Sequence, residues 1–326
     1  MGESRIGKVG SAMNTGLYVL DPSELVAIDN ELERRHGKPP PRIEPARLPH
    51  EVRLRVSALI AQGRFEPPRL PEIALEIMAK ADDPKASAED MAVLVHRDPF
   101  LAGRLLEAAN TAFYRPRDRR ITRLNEAVSR LGIRQVRNVL LAAAMEQSVY
   151  RGPRKPLMRE LWQASVGAAV GCRLVANMLR RDPDQAFMVG LLHDVGKPVL
   201  AWCLDQVLSS DPRLQLGFEQ VAPDIFHLLH ARVGALIVRQ WKLPSGFALV
   251  VKHHHDPRPP DGTQRHARVL RMANLLYECW RNTPEDFDEG GVLECHALMV
   301  RSFREADTIR RLLNIYPPAL EALLHG

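Results

Sequence analysis

The chain has 326 residues, of which 45% are hydrophobic and 26% charged, with a formal net charge of +6 at pH 7. That length and apolar content suffice for one large or two smaller hydrophobic cores, and they exclude collagen-like, low-complexity and disordered compositions. The four cysteines, Cys172, Cys203, Cys279 and Cys295, include no Cys-x-x-Cys pair, so buried thiols in a reducing, cytoplasmic setting are expected and a disulfide framework is not.

Taken in chain order, Met1 to Lys8 lacks the apolar stretch of a signal peptide, and Ile6 stands where a myristoylation signal wants serine or threonine. Asp21-Pro22-Ser23-Glu24 predicts a helix start, with Asp21 accepting from free N–H groups and Pro22 at a position that needs no donor. This helix should run to about Arg35, before Lys38-Pro39-Pro40-Pro41-Arg42 forms a stiff extended linker. Residues 1–48 are therefore expected to be a mobile extension with one helix. Ser87 with Asp90, and Asp98 with Pro99, predict two further helix starts. Longer helices are expected from Arg134 to Tyr150 and from Leu157 to Arg180, the second with Leu161, Ala164, Ala168, Cys172 and Val175 on one inward stripe. Period-2 alternation, hairpin turns and glycine-rich phosphate loops are missing, so an all-α fold is expected. The longest apolar runs, such as Val139 to Met145, are short, and no membrane span is expected.

The segment Gly190-Leu191-Leu192-His193-Asp194-Val195-Gly196-Lys197 puts an imidazole and a carboxylate where packing would place hydrophobes. Burying such a pair is costly unless both groups are hydrogen-bonded, ion-paired or metal-bound. One reading is a buried pair that fixes two helices; the other is a metal site, because divalent ions draw on these side-chain types. His230 and the run His253-His254-His255, before Asp256-Pro257, supply further candidate ligands. His253 is read as a solvated residue or a cap partner. Lys197 could face phosphate, or complement a helix C-terminus after Gly196. A basic stretch from Arg115 to Arg123 carries five arginines and could hold phosphates, but no aromatic interleaving or helix-turn-helix pattern accompanies it, so nucleic acid is not favoured as a partner.

Several of these motifs occur together in one order: Pro68 to Ala74, Asp98-Pro99, Ala109 to Tyr114, Ala127 to Gly132, Gly190 to Lys197, Trp241 to Pro244 and His254 to Pro257. In this order the chain resembles the HDOD domain, an output domain of bacterial signalling proteins related to the HD and HD-GYP metal phosphohydrolases. The resemblance implies a multi-helix HD-like bundle at residues 151–285, a smaller N-terminal helical part at 49–150, and a helical tail at 286–326. It also implies departures from the hydrolytic pattern. Ala164 stands where hydrolytic relatives carry a histidine, and Asn274 where they carry an aspartate. With His193, those two positions resemble the ligands of one metal of a two-metal site, while Asp194, His230, His254 and His255 resemble the ligands of the other, with the aspartate bridging.

The resemblance thus implies a non-catalytic signalling output or adaptor module that binds a protein partner or a small nucleotide. No cofactor is required, and at most one divalent transition-metal ion is expected, on Asp194, His230, His254 and His255, with His193 a secondary candidate. The alternatives are a single-metal phosphohydrolase, in which Asp194 helps to hold the ion and Lys197 steadies phosphate charge, and a nucleic-acid-binding regulator using the Arg115 to Arg123 stretch.

Overall fold

Three helix starts, at Ser87, Asp98 and Asp182, are set by side-chain caps. Ser87 Oγ accepts from the Asp90 amide while the Asp90 carboxylate accepts from the Ser87 amide, each at 3.1 Å, so two otherwise orphaned donors are satisfied reciprocally. Asp98 accepts from Phe100 and Leu101, and Asp182 from Asp184 and Gln185, each followed by a proline in the first helical turn. The computed structural model describes residues 47–62, 68–111, 119–210 and 217–282, together with Tyr316 and Leu320. The expected helix from Asp21, the proline linker, Arg115, Arg117, Cys295 and most of the tail lie outside the described residues.

In chain order α1 (Arg47–Ala61) comes first, and the smaller part comprises α2 (Glu72–Ala81), α3 (Ala88–His96), α4 (Pro99–Ala109), α5 (Leu124–Leu131) and α6 (Ile133–Ser148). The remainder comprises α7 (Lys155–Met178), α8 (Pro183–Leu192), α9 (Gly196–Ser210), α10 (Phe218–Gln240), α11 (Ser245–His253) and α12 (Gln264–Asn282). The fold is all-α, with no strand among the described residues. α6 and α7 start and end within a residue or two of the expected bounds.

Two apolar cores meet along α6. One gathers Ile77, Met91, Leu101, Leu105 and Val128 with Val136 and Leu140 of α6. The larger gathers Leu191, Leu200, Val233, Val251 and Ala273 with Leu141, Ala144 and Met145 from the same helix. α1 precedes the smaller bundle in sequence, yet its stripe Val52, Val56 and Ile60 joins the larger core against α9 and α10. The Trp241 indole N–H donates to the Pro68 carbonyl at 2.8 Å, tying the same region together.

The expectation that no stretch reaches membrane-spanning length needs correction. Pro183–Ser210 and Phe218–Gln240 are long and apolar enough by composition to cross a bilayer. The physical reason is central packing: a helix surrounded by other helices is apolar on nearly every face, and 83% of the first apolar window is buried inside the fold.

Close backbone approach fixes how these central helices meet. A Cβ on Gly196 would lie 2.1 Å from the His230 carbonyl oxygen, so only glycine lets α9 touch α10 there. Gly246 has open space around it. Gly196→Ala should therefore destabilise the protein by about 1–3 kcal/mol through forced helix separation, whereas Gly246→Ala should be neutral or slightly stabilising. Denaturant unfolding of both variants checks this, and equal midpoints would contradict it.

Candidate metal centre

Four elements converge on Asp194. His193, Asp194 and Val195 form the turn between α8 and α9, Lys197 lies in the first turn of α9, His230 sits within α10, and His254 and His255 follow α11. His193, Asp194, His230 and His254 are all buried, while His255 is exposed and opens the cluster to solvent.

Each buried ring is oriented by a carbonyl of its own helical segment. His193 Nδ1 bonds the Gly190 oxygen at 2.7 Å, His254 Nδ1 bonds the Val251 oxygen at 2.6 Å, and His230 Nδ1 bonds the Phe226 oxygen. A carbonyl only accepts, so in all three rings Nδ1 carries the proton. In the neutral ring Nε2 is then a bare lone pair. Burial pushes His230, His254 and His255 toward the neutral form, lowering them to about 4, about 3 and about 4.

These lone pairs face one another. His230 Nε2 lies 3.2 Å from His254 Nε2 and 2.9 Å from His255 Nε2. Asp194 Oδ1 is 3.3 Å from His230 Nε2 and 3.8 Å from His254 Nε2, and it is buried without a hydrogen-bond donor. His230 Nε2, His254 Nε2 and Asp194 Oδ1 repel as acceptors at these separations unless a proton or a cation lies between them, whereas His255 can donate from Nε2 to His230. The ligand atoms of Asp194, His230, His254 and His255 all fall within 4.8 Å of one another, close enough to converge on one ion with small side-chain adjustments.

The other carboxylate oxygen has a different environment. Asp194 Oδ2 accepts from the Lys197 ammonium at 2.5 Å and lies 3.2 Å from His193 Nε2. Asn274 Nδ2 donates to the same His193 nitrogen at 3.5 Å. Burial pushes the Asp194 carboxyl up, but His193, Lys197 and His230 together outweigh it and hold the group well below the usual carboxylate range. Lys197 thus pairs with the aspartate, and His253 pairs with Asp256 at 2.6 Å.

Ala164 is half-buried on α7. Its neighbour Ser165 is fully buried, and Ser165 Oγ shares a 2.7 Å hydrogen bond with the Tyr150 hydroxyl. Burial pushes the Tyr150 phenol up, the Ser165 bond lowers it, and the charge of Asp194 raises it further. Sequence reasoning missed this hydroxyl pair; the available signal was a lone serine in an apolar helical run. Cys172 and Cys203 are buried free thiols, both pushed up by burial.

Two outcomes follow. His193→Ala removes a partner of both Asp194 and Asn274, and should lower stability by about 1–3 kcal/mol; a melting curve identical to the parent would contradict the contacts described. The folded values of about 4, 3 and 4 for His230, His254 and His255 lie below the ordinary 6.5. The unfolded chain therefore binds more protons between these limits, so stability of chelator-treated protein should fall as pH drops from about 6.5 toward 4. Denaturation series across that window test the slope, which His254→Gln should reduce.

The HDOD domain family model matches residues 68–257. An uncharacterized protein of Treponema pallidum (strain Nichols) is 24% identical over 234 residues, covering 68% of this chain; the chain spans only 44% of that relative's length. The fold is similar to the crystal structure of a protein from Shewanella amazonensis SB2B provisionally named a metal-dependent phosphohydrolase, with a TM-score of 0.65 and 18% identity, covering 85% of this chain and 98% of that one. It is also similar to that of an HDOD domain protein of unknown function from Geobacter sulfurreducens, with a TM-score of 0.54 and 23% identity, covering 82% and 98%. With the match running from Pro68 through the His-Asp turn to Pro257, the chain belongs to the HDOD family.

Proposed function

We propose that this chain is a signal-transduction output or adaptor module whose HD-type site holds a single divalent transition-metal ion and acts by binding a signalling protein or small nucleotide, not by catalysis. The observation that carries the reading is the division of labour on Asp194. Its Oδ1 faces lone pairs and has no donor, while its Oδ2 is neutralised by Lys197. One side of the carboxylate calls for a cation; the other already has an organic one.

Asp194, His230, His254 and His255 would hold the ion, and three imidazoles with one carboxylate suit zinc, iron, manganese or nickel. When bound, the ion supplies Lewis-acid polarisation of an oxygen ligand. The protein's own residues orient the site. The three carbonyl-bound rings fix the tautomers, Lys197 holds the carboxylate, and Asn274 holds His193. A two-metal clamp on attacking and leaving oxygens lacks support because an amide replaces a carboxylate at position 274.

The alternative of a single-metal phosphohydrolase draws on the ion and on Lys197 as a phosphate partner. The ammonium's bond to Asp194 weighs against it, since that charge is already committed. For the nucleic-acid reading, Arg119 is paired with Glu126 at 2.8 Å, which reduces the basic field of the arginine stretch.

Protein purified without chelator should contain one ion per chain. Replacing His254 and His255 together by alanine should reduce this to none, whereas Asn274→Ala should leave it bound. The same preparation should show no appreciable hydrolysis of cyclic dinucleotides or nucleotide phosphates. Two ions per chain, or robust turnover abolished by Asp194→Ala, would overturn the reading.

A further inference from the structure

Positive charge gathers where α7 ends and where α8 and α12 begin. α12 runs antiparallel to α7: a Cβ on Gly167 would fall 2.1 Å from the Tyr277 ring, one on Gly171 would fall 2.9 Å from the Ala273 side chain, and Arg281 pairs with Glu160 at 2.8 Å. The last turn of α7 therefore lies beside the first turn of α12. His266 Nε2 in that first turn is 3.1 Å from Gln185 Oε1 at the start of α8. Arg180 and Arg181 follow α7, Arg265 and Arg268 open α12, and all four are exposed. None of the four has a side-chain hydrogen bond or ion pair among the described residues.

The acids nearby are already committed. Arg134 lies 3.6 Å from both Asp182 and Asp184, Arg173 lies 3.5 Å from Asp184, and the Asp182 carboxylate also caps α8. Asp261 accepts from the Gln264 side chain at 3.2 Å. The four arginines are left without a paired counter-charge, and like charges held together work against the compact state. Arg180 is a second, independent sign. It follows the C-cap of α7 with a φ of 51°, its N–H donating to the Asn177 carbonyl at 3.1 Å and the Arg181 N–H to the Ala176 carbonyl at 2.8 Å. That left-handed position favours glycine, because a Cβ there crowds the backbone. An arginine occupies it instead. Beside it Leu179 is 42% exposed, an apolar side chain among cations.

We propose that this end of the molecule is the docking surface for an acidic segment of a partner protein, whose carboxylates pair with Arg180, Arg181, Arg265 and Arg268 while one of its apolar side chains covers Leu179. The guanidinium fork takes a carboxylate through two parallel bonds. Leu179 favours a protein over a nucleic acid, because a phosphate backbone offers it no apolar group. No Phe, Tyr or Trp lies in residues 177–185 or 261–271 to stack a base. α8 starts at this surface and ends at the His193 turn, so the occupant sits at one end of a helix about 15 Å long whose other end carries the candidate metal centre. This surface presupposes that the chain is a protein-binding adaptor and is independent of the bound cation.

Fluorescence anisotropy on the full-length chain tests this with a labelled peptide of glutamates and leucines, the same peptide with serine for leucine, and a single-stranded oligonucleotide; cosedimentation tests vesicles of anionic phosphatidylglycerol. The parent should bind the glutamate–leucine peptide most tightly. Arg265→Ala/Arg268→Ala should weaken that binding by about tenfold or more. Leu179→Ser should weaken it while leaving the serine peptide unchanged. Arg180→Gly should weaken it about threefold without lowering the melting temperature, since glycine suits the backbone there. Arg159→Ala removes an exposed arginine from the opposite end of α7 and should change nothing. Absence of saturable peptide binding by the parent, or equal loss in Arg159→Ala, would overturn the proposal. So would tighter binding of the oligonucleotide or the vesicles, or self-association of the chain, that the same variants abolish. Hydrolysis of nucleotide phosphates by the same samples is a separate reading: turnover with peptide binding intact counts against the non-catalytic function and leaves the docking surface in place.

Discussion

A buried carboxylate oxygen that faces imidazole lone pairs with no proton to share is the constraint on which the site depends. Repulsion among acceptors in a desolvated site is strong and cannot be relieved by water at every atom. Rotating the rings is blocked, because the Nδ1 proton of His193, His230 and His254 is already committed to Gly190, Phe226 and Val251. Each bond spans only three or four residues, so the local helix geometry fixes the tautomer. The charge imbalance is thus built into the backbone and not into flexible side chains.

The surrounding fold serves this arrangement by bringing helices unusually close. Gly196 admits the His230 carbonyl, and Gly190 admits the backbone of Ala168 and Ala169 from α7. These contacts place the turn carrying His193 and Asp194 between α7, α10 and α11. Asymmetry then follows from sequence: Lys197 extends from the next helix to Asp194 Oδ2, and Asn274 reaches His193 from α12. The two oxygens of one carboxylate are given different chemistry, a metal-type ligand set at Oδ1 and the Lys197 ammonium at Oδ2.

Much of this was legible in the chain. Caps at Ser87 and Asp98 depend on neighbours two or three residues away, and periodicity gave α6 and α7 because one helix face is apolar over many turns. The His-Asp turn, His230, His254 and His255 stood out as polar groups in apolar surroundings, and their grouping followed from the resemblance to the HDOD family. The Tyr150 and Ser165 pair, the commitment of Lys197 to Asp194, the place of α1 in the larger core and the burial of Tyr316 against Gly167 were not legible. Most of these join segments far apart in sequence, and no local propensity or period encodes which apolar stripe meets which. Lys197 is the exception: its partner is three residues away, but the orientation that joins them depends on the turn between α8 and α9.

X-ray absorption at the metal edge of the cobalt-loaded protein tests the central claim most directly. A single cation between the three imidazoles and Asp194 Oδ1 predicts a shell of nitrogen and oxygen ligands with imidazole scattering and no metal neighbour. A metal–metal vector at about 3.5–4 Å, or an ion surrounded by water oxygens without imidazole scattering, would contradict it.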